Sequence, residues 1–270
     1  MRLRLETPLT IRAVFLNVAA WLLIGVVVFP LAWMISSAFK RNDELFATPP
    51  TLIPHRPTLE NFANLLTQTP FLTYFGNSLI VACATTAFVI VIALPLGLAL
   101  TRYRKPANAV IAIVNILRTV PSLALLVIML PILGTGFLPS AVALTLYGLP
   151  ALLINTYVGL TEVDHDIVEA ARGQGLSDGQ VMRRIEIPLA LPVIFAGVRT
   201  AAVQIVSAAT LAAFIGGGGL GELITAGMAN FNFPQLIVGA VAVALLALFV
   251  EIAFGGAERA MTRSLRMGAS

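Results

Sequence analysis

No charged side chain interrupts the stretch Ser78-Leu-Ile-Val-Ala-Cys-Ala-Thr-Thr-Ala-Phe-Val-Ile-Val-Ile-Ala-Leu-Pro-Leu-Gly-Leu-Ala-Leu100. A helix that crosses a bilayer needs about 20 predominantly apolar residues, so this stretch predicts one membrane-spanning helix. Five more predominantly apolar runs of similar length lie near 13–36, 107–133, 137–160, 190–215 and 234–256. The sequence therefore predicts an all-α integral membrane protein with about six transmembrane helices.

Composition excludes most other classes of protein. Of the 270 residues, 58% are hydrophobic and only 11% are charged, against roughly 25% in a soluble domain. The chain cannot cover a water-facing globule with polar surface, and it is too apolar to be disordered. Its 17 basic residues form no long stripe, so we expect no nucleic acid partner. We find no nucleophile–base set and no metal-ligand cluster, and therefore predict neither catalytic residues nor a metal site.

The flanking lysines and arginines predict the orientation of the helices, because cytoplasmic loops carry an excess of both. Three basic residues fall on the side predicted to be external: Lys40, Arg41 and Arg56. Twelve fall on the opposite side: Arg2, Arg4, Arg12, Arg102, Arg104, Lys105, Arg172, Arg183, Arg184, Arg259, Arg263 and Arg266. The first apolar run is too long for the core of a signal peptide. An uncleaved first helix and an even number of spans place both termini in the cytoplasm.

The six helices belong to one domain, 1–270, with two long connections. The external connection, residues 37–77, carries Pro49, Pro50, Pro54 and Pro57 and predicts irregular structure with a short amphipathic helix near Leu59–Leu66. The cytoplasmic connection, residues 161–189, is the larger polar loop on that side. We find no internal repeat and no low-complexity tract.

The cytoplasmic loop has the signals of two short helices. Asp164 is a suitable N-cap for a first helix, and Gly173 and Gly175 are expected to end it. Ser177 and Gln180 have capping-box spacing for a second helix, which we expect Pro188 to terminate. The two helices predict a compact projection, on which Ala170 and Ala171 leave a slim face for a groove on another protein.

The same loop resembles a family motif. Glu169, Ala170, Ala171, Gly175, Ile185 and Pro188 are in register with the EAA motif of bacterial ABC-importer permeases, although Ile187 replaces the leucine usual before the proline. The resemblance implies a type I ABC-importer-like fold in the bacterial cytoplasmic (inner) membrane. It also implies that this loop is the coupling helix that docks into an ABC ATPase dimer. The two lysines, Lys40 and Lys105, follow no P-loop glycines. The chain is therefore expected to bind no cofactor itself, with ATP and Mg on the partner ATPase.

Candidate residues for the translocation path are the polar and glycine-rich positions that interrupt the apolar runs. Arg118, Arg199 and Glu251 lie inside predicted helices, where ionisable groups usually face the interior. Arg118 is followed by Pro121, which is expected to break the helix and open a polar site. Any of the three ionisable residues can line the path, or Arg199 and Glu251 can form a structural pair. Another candidate is the outer glycine run, read as a gate or as a plain turn: Gly216, Gly217, Gly218, Gly219 and Gly221.

Residues from about 80 to 265 look most like glycine betaine/choline permeases, the quaternary-amine osmoprotectant class. The segments that carry this resemblance are Pro121-Ser-Leu-Ala-Leu-Leu126, Asn155-Thr-Tyr-Val-Gly159, Glu169-Ala-Ala-Arg-Gly-Gln-Gly175, Leu189-Ala-Leu-Pro-Val-Ile194 and Phe214-Ile-Gly-Gly-Gly-Gly-Leu-Gly221. It implies an external substrate-binding protein and a second permease copy or paralogue within the lipid bilayer.

Residues 1–80 instead resemble maltose-type sugar permeases. The segments that carry this second resemblance are Ser36-Ser-Ala-Phe-Lys40, Pro49-Pro50, Thr58-Leu-Glu-Asn-Phe62 and Asn77-Ser-Leu-Ile80. Three functions follow as alternatives: an osmoprotectant importer permease, a sugar importer permease, or a membrane scaffold that transports nothing. The first two differ in the ATPase and binding protein that associate, and the third predicts no substrate-dependent ATP hydrolysis.

Overall fold

The computed structural model describes residues 11–267, and over that range the chain is helical, as predicted. Its twelve α-helices are α1 Ile11–Ala38, α2 Asn42–Leu45, α3 Glu60–Gln68, α4 Phe71–Arg102, α5 Arg104–Leu117, α6 Ser122–Leu133, α7 Phe137–Thr161, α8 His165–Gly173, α9 Asp178–Val181, α10 Ile187–Ala209, α11 Gly221–Ala229 and α12 Phe233–Met267. A π-helical turn, Met182–Glu186, joins α9 to α10, and a 3-10 segment, Thr210–Ile215, follows α10. Arg2 and Arg4, which entered the orientation argument, lie outside the described residues, as do the side chains of Arg12, Arg104, Lys105, Arg263 and Arg266.

Five of the helical segments are long and apolar enough to cross a membrane. They confirm the predicted spans near 13–36, 78–100, 137–160, 190–215 and 234–256. The second span begins at Phe71, earlier than predicted, because the helix starts directly after Pro70 and its first-turn aromatic residues pack into the bundle. The connection predicted to be external therefore ends near residue 70 and not at 77. Its predicted amphipathic helix is α3.

The run 107–133 does not form one straight helix. It divides into α5 and α6, whose axes differ by 95°, so the bundle has five spans, or six if the bent pair counts as one. The break lies at residues 118–121, where Pro121 removes a backbone donor and disfavours helical backbone at the residue before it. The prediction of a single helix was wrong, and the prediction that Pro121 breaks the helix is confirmed.

Helix α7 is at the centre of the fold. In an apolar stretch of 18 residues within α7, 61% of the residues are buried, whereas none is buried in the corresponding stretch of α1. It packs against α4 and α10 through a core that includes Val89, Leu152 and Ile205. Small residues bring the helices close together: a Cβ on Gly148 would lie 2.9 Å from the Ile205 side chain. Close contact through small residues is the usual way in which membrane helices associate.

The bundle has two ends of different character. We call the end that carries α8 and α9 the loop end, and the opposite end, with α3 and the starts of α4 and α12, the α3 end. At the α3 end, the amide of buried Asn61 donates to the carbonyl oxygens of Ala38 and Lys40, at 3.0 and 2.7 Å. The Lys40 ammonium donates to the Thr51 carbonyl and lies 4.5 Å from the Trp33 ring centroid. These bonds fasten α3 and the proline-rich segment onto the end of α1.

Candidate functional site

The polar loop predicted to couple to a partner forms a compact projection at the loop end. We call residues 162–186 the knob. Asp164 is the N-cap of α8, and its side chain accepts a hydrogen bond from the Asp166 N–H at 3.0 Å. At the start of α9, the Gln180 side chain accepts from the Ser177 N–H at 2.9 Å. Both predicted caps are therefore present, and they set the starts of the two helices.

A small apolar core holds the two knob helices together. It contains buried Val168, Ala171 and Val181, with Leu176 and Ile185 packed against them. This core packs the two helices against each other, so the knob presents a defined surface at the loop end. Such a preformed surface suits docking to a partner protein.

The core also decides which motif residues face outward. Glu169 and Ala170 are exposed, whereas Ala171 is only 7% exposed and packs inside the knob. The prediction that both alanines form the slim outer face is therefore wrong for Ala171. The docking face of α8 consists of Ala170 with its neighbours Ile167 and Gly173, which are also exposed.

Gly175 makes the turn between α8 and α9. Its φ is +86°, and its N–H donates to the Arg172 carbonyl at 2.9 Å. A Cβ at this position would meet nothing within 4 Å, so the requirement for glycine comes from the backbone and not from space inside the knob. The Arg172 side chain also bridges the turn, with its Nε 3.2 Å from the Asp178 carboxylate.

Pro188 does not end the second knob helix, contrary to the prediction. The helical backbone continues from α9 through the π-helical turn into α10, where Pro188 occupies the first turn. Proline is tolerated there because the π-turn shifts the hydrogen-bond register, so that the helix needs no backbone N–H at the position of Pro188. Ile185 and Pro188 therefore join the knob directly to a membrane span.

Sequence reasoning missed a cavity at the base of the knob. A space of about 440 Å³ lies between the knob and the ends of α4 and α7, and its lining includes Arg102, Tyr157, Arg172 and Glu186. The signal available in the sequence was the position of Arg102 at the end of a span. The cavity separates the knob from the bundle on one side, while α10 connects them on the other.

At the α3 end, the glycine run forms a tightly packed joint. Gly216, Gly218 and Gly219 have φ values of +72°, +71° and +87°. The Leu220 N–H donates to the Ser78 hydroxyl at 2.8 Å, which ties the run to α4. A Cβ on Gly221 would lie 2.1 Å from the Thr210 carbonyl oxygen.

Close contacts also surround Gly217 in the middle of this run. A Cβ on Gly217 would lie 2.3 Å from the Ser140 hydroxyl oxygen of α7, which leaves no room for a side chain. The Gly136 N–H, just before α7, donates to the Ile215 carbonyl at 3.0 Å. The backbone of the glycine run therefore lies close to α4, α7, α10 and α11 at once, and larger residues in the run would prevent these contacts.

The three ionisable residues of the spans fall into two groups. Arg118 is exposed at the break between α5 and α6, next to Pro121. Arg199 pairs instead with Glu251 and Glu258 of α12. Of the two alternatives for Arg199 and Glu251, a path lining or a structural pair, the structure therefore shows the pair, with Glu258 as an additional partner. Among the described residues, no group of three or more His, Cys, Asp or Glu is placed to hold a metal ion.

Known proteins are similar to this chain in sequence. Residues 90–263 match the family described as "Binding-protein-dependent transport system inner membrane component". The glycine betaine/carnitine/choline transport system permease protein OpuCB of Bacillus subtilis (strain 168) is 42% identical over 187 residues, which are 69% of this chain and 86% of that protein. The choline transport system permease protein OpuBB of the same organism is 43% identical over 173 residues, 64% of this chain and 80% of that protein.

Solved structures share the fold. A chain of the inward-facing MetNI methionine ABC transporter has a TM-score of 0.66 at 26% identity, covering 71% of this chain and 95% of that chain. A chain of a bacterial ABC transporter involved in the import of the acidic polysaccharide alginate has a TM-score of 0.65 at 16% identity and covers 91% of this chain and 95% of that chain. The second match is long enough to reach into the first eighty residues, which the family match does not include.

These matches confirm the resemblance of residues 80–265 to ABC-importer permeases and the type I importer-like fold. The family implies a separate ATPase and a substrate-binding protein as partners, and it is an inner-membrane component, as predicted. The relatives are permease subunits and not enzymes. This chain therefore belongs to the binding-protein-dependent transport system inner membrane component family.

Proposed function

We propose that the chain is the permease subunit of an ATP-driven importer of quaternary-amine osmoprotectants such as glycine betaine, choline and carnitine. The observation that carries this proposal is the 42–43% identity to permeases of glycine betaine, carnitine and choline transport systems, of which this chain covers 80–90%. The family match over residues 90–263 includes the knob and the glycine run. The alginate-transporter match, at 16% identity, supports only the fold.

The proposed coupling surface is the outward face of α8. Ala170 and Gly173 present little side-chain volume, so a groove on the ATPase can approach the helix backbone closely. Glu169 and His165 lie beside this face, 3.1 Å apart, and offer polar contacts at its edge. In this proposal the ATPase dimer holds ATP and Mg, and the knob conveys its closure to the membrane spans.

The proposed orientation puts the knob in the cytoplasm and the α3 end outside. An external binding protein then delivers substrate at the α3 end, close to the glycine run. The α5–α6 break, with Arg118 and Pro121, and the glycine run are the proposed elements of the path and its gate. A second permease copy or a paralogue completes the path, because a transporter of this kind moves substrate between two bundles that rock about the midplane.

Uptake of labelled glycine betaine tests the proposal in proteoliposomes that contain the permease, its ATPase and its binding protein. The informative variant is Ala170→Arg, which places a long cation on the proposed docking face. The matched control is Ala229→Arg, the same change at an exposed position at the α3 end. We expect Ala170→Arg to reduce copurified ATPase by about tenfold or more, since an unpaired charge at a closely packed interface is costly. Ala229→Arg should leave ATPase binding intact.

Each alternative function gives a different result. Uptake of maltose-type sugars without betaine uptake would overturn the osmoprotectant assignment and leave the permease assignment standing. A folded chain that recovers no ATPase, and whose partners hydrolyse no ATP in response to substrate, would support the scaffold alternative. Equal ATPase recovery by Ala170→Arg and Ala229→Arg would show that α8 is not the docking helix.

A further inference from the structure

Helix α3 has two chemically different faces, and a cavity lies against each of them. Its polar face presents Asn64 and Gln68 to a cavity of about 600 Å³. Its apolar face presents Phe62 and Leu66 to a groove of about 350 Å³. Buried Leu65 lines both spaces, so the polar cavity and the apolar groove adjoin at one side chain.

The apolar groove has the length of one half of a bilayer. It follows α12 from Val238 to Phe249, a distance of about 16 Å at 1.5 Å per residue. Half of the hydrocarbon thickness of a membrane is about 15 Å. Phe71 and Phe75 of α4 form its other side, and the exposed side chain of Leu245 marks the open side of the groove. The groove therefore fits an acyl chain that runs along α12 through one leaflet.

The polar cavity, at the outer end of this groove, carries charges of both signs. Arg41 and Asp43 line it with their charged groups 3.6 Å apart, and both side chains are exposed. Such a loose surface pair is easily exchanged for other partners. Glu60 adds a second carboxylate to the lining. A guanidinium is a good partner for a phosphodiester, and two carboxylates are good partners for an ammonium group.

We propose that the groove and the polar cavity together bind one phospholipid whose headgroup carries an ammonium group, such as phosphatidylethanolamine. An acyl chain occupies the groove beside α12, the phosphate lies near Arg41, and the ammonium group lies near Asp43 and Glu60. A lipid with only negative charge in its headgroup would meet two carboxylates and one guanidinium, and is disfavoured. The lipid fills the space between α3 and α12 and supports the external segment from the membrane side. This proposal is independent of the transported substrate.

Native mass spectrometry tests the proposal on the full-length chain, purified from membranes in mild detergent with the subunits that accompany it. The sample is mixed with equal amounts of phosphatidylethanolamine and phosphatidylglycerol that have the same acyl chains. We expect about fivefold more retained phosphatidylethanolamine, the size of effect that exposed ion pairs provide. Leu245→Trp fills the groove and should abolish retention of both lipids. Leu248→Trp is the matched control on the same helix, since Leu248 is 53% exposed against 59% for Leu245 but does not line the groove.

A second variant separates the headgroup from the acyl chain. The double change Asp43→Asn with Glu60→Gln should keep a bound lipid but remove the preference for phosphatidylethanolamine. Because both side chains are exposed, this variant decides the question even if Leu245→Trp fails to fold. Three results would overturn the proposal: equal retention in Leu245→Trp and Leu248→Trp, no headgroup preference in the unmodified chain, or a photo-crosslinker at position 245 that captures a second copy of this chain instead of lipid.

Discussion

Arg199 of α10 lies between two carboxylates of α12. Its Nη1 donates to the Glu258 Oε2 at 2.9 Å, and its Nη2 donates to Glu251. The carboxylates are two helical turns apart on one face of α12, so a single guanidinium spans both. This cluster joins two helices that are separated by the whole glycine run in sequence.

We expect Arg199→Met to destabilise the bundle, because two carboxylates that share one cation would lose it near apolar surroundings. The melting temperature in detergent should fall clearly. Arg118→Met is the control, since Arg118 is exposed at a helix break. Adding Glu251→Gln and Glu258→Gln to Arg199→Met should recover part of the loss by removing the stranded charges. Equal melting temperatures for the two single variants would contradict the structural role of the cluster.

A second prediction concerns the glycine joint. Gly221→Ala should reduce the folded yield strongly, because the added methyl group would overlap the Thr210 carbonyl oxygen, a backbone atom that cannot rotate away. Gly76→Ala is the matched control: Gly76 lies in α4 at the same end of the bundle, and a Cβ there meets nothing within 4 Å. Fluorescence-detected size exclusion measures both yields. Similar yields would show that the backbones of Gly221 and Thr210 leave room for a side chain.

The turn of the knob gives a third prediction. Gly175→Ala should destabilise the α8–α9 unit by about 1–2 kcal/mol, the cost of left-handed backbone for an L-residue. Gly175→Asn should cost less, because asparagine adopts this conformation more readily. Gly173→Ala, in the last turn of α8 and free of contacts, should be neutral or slightly stabilising.

Hydrogen exchange of peptides covering 165–185 measures all three knob variants. Faster exchange in Gly175→Ala with intermediate exchange in Gly175→Asn is the expected order. If both variants exchange as slowly as the unmodified chain and yet lose ATPase binding, the glycine is required by the partner's surface and not by the backbone.

A pH dependence is expected in the segment 44–56, between α1 and α3. The His55 N–H donates to Glu44 Oε1 at 2.7 Å, and the Thr51 hydroxyl donates to the same oxygen at 3.1 Å. These bonds, with that from His55 the larger cause, hold the pKa of Glu44 below its ordinary value of 4.5. A lowered pKa in the folded state means that the ionised carboxylate stabilises the segment above pH 4.5, and that this contribution is lost as the pH falls through the lowered value.

Hydrogen exchange of peptides covering 44–56 detects this loss after correction for the intrinsic pH dependence of exchange. We expect protection to fall below pH 4.5 in the unmodified chain and to be low and independent of pH in Glu44→Gln. Peptides from the centre of α4 are the internal control. The same pH profile in both proteins would exclude Glu44 as the titrating group.

Much of this fold was predictable from hydropathy alone. Apolar runs of about 20 residues locate the spans, because a spanning backbone must satisfy its hydrogen bonds internally, and a single apolar run of this length does so as a helix. Proline was a poorer guide. Pro95, Pro150 and Pro192 lie inside continuous helices, whereas Pro121 coincides with a bend. Proline alone therefore does not decide where a helix bends; at Pro121 the polar pair Arg118 and Thr119 precedes the proline.

The candidate site was predictable in its caps and its motif but not in its packing. Asp164 and Ser177 mark helix starts by local chemistry, which spacing in the sequence reveals. Whether Ala170 or Ala171 faces outward depends on contacts with Val181, beyond the next turn. Two further features depend on contacts between helices far apart in sequence: the Arg199 pairing with Glu258 and the two cavities beside α3. No local sequence pattern predicts either of them.

The π-helical turn at Met182–Glu186 has a mechanical consequence. Because the backbone does not stop at Pro188, one rod of 38 residues, Asp178–Ile215, runs from the knob to the glycine joint. At 1.5 Å per residue this rod is about 57 Å long. A tilt of about 10° imposed at one end displaces the other by about 10 Å if the rod stays straight. Such a rod would act as a lever arm, turning a small rotation of the knob into a large displacement at the glycine joint.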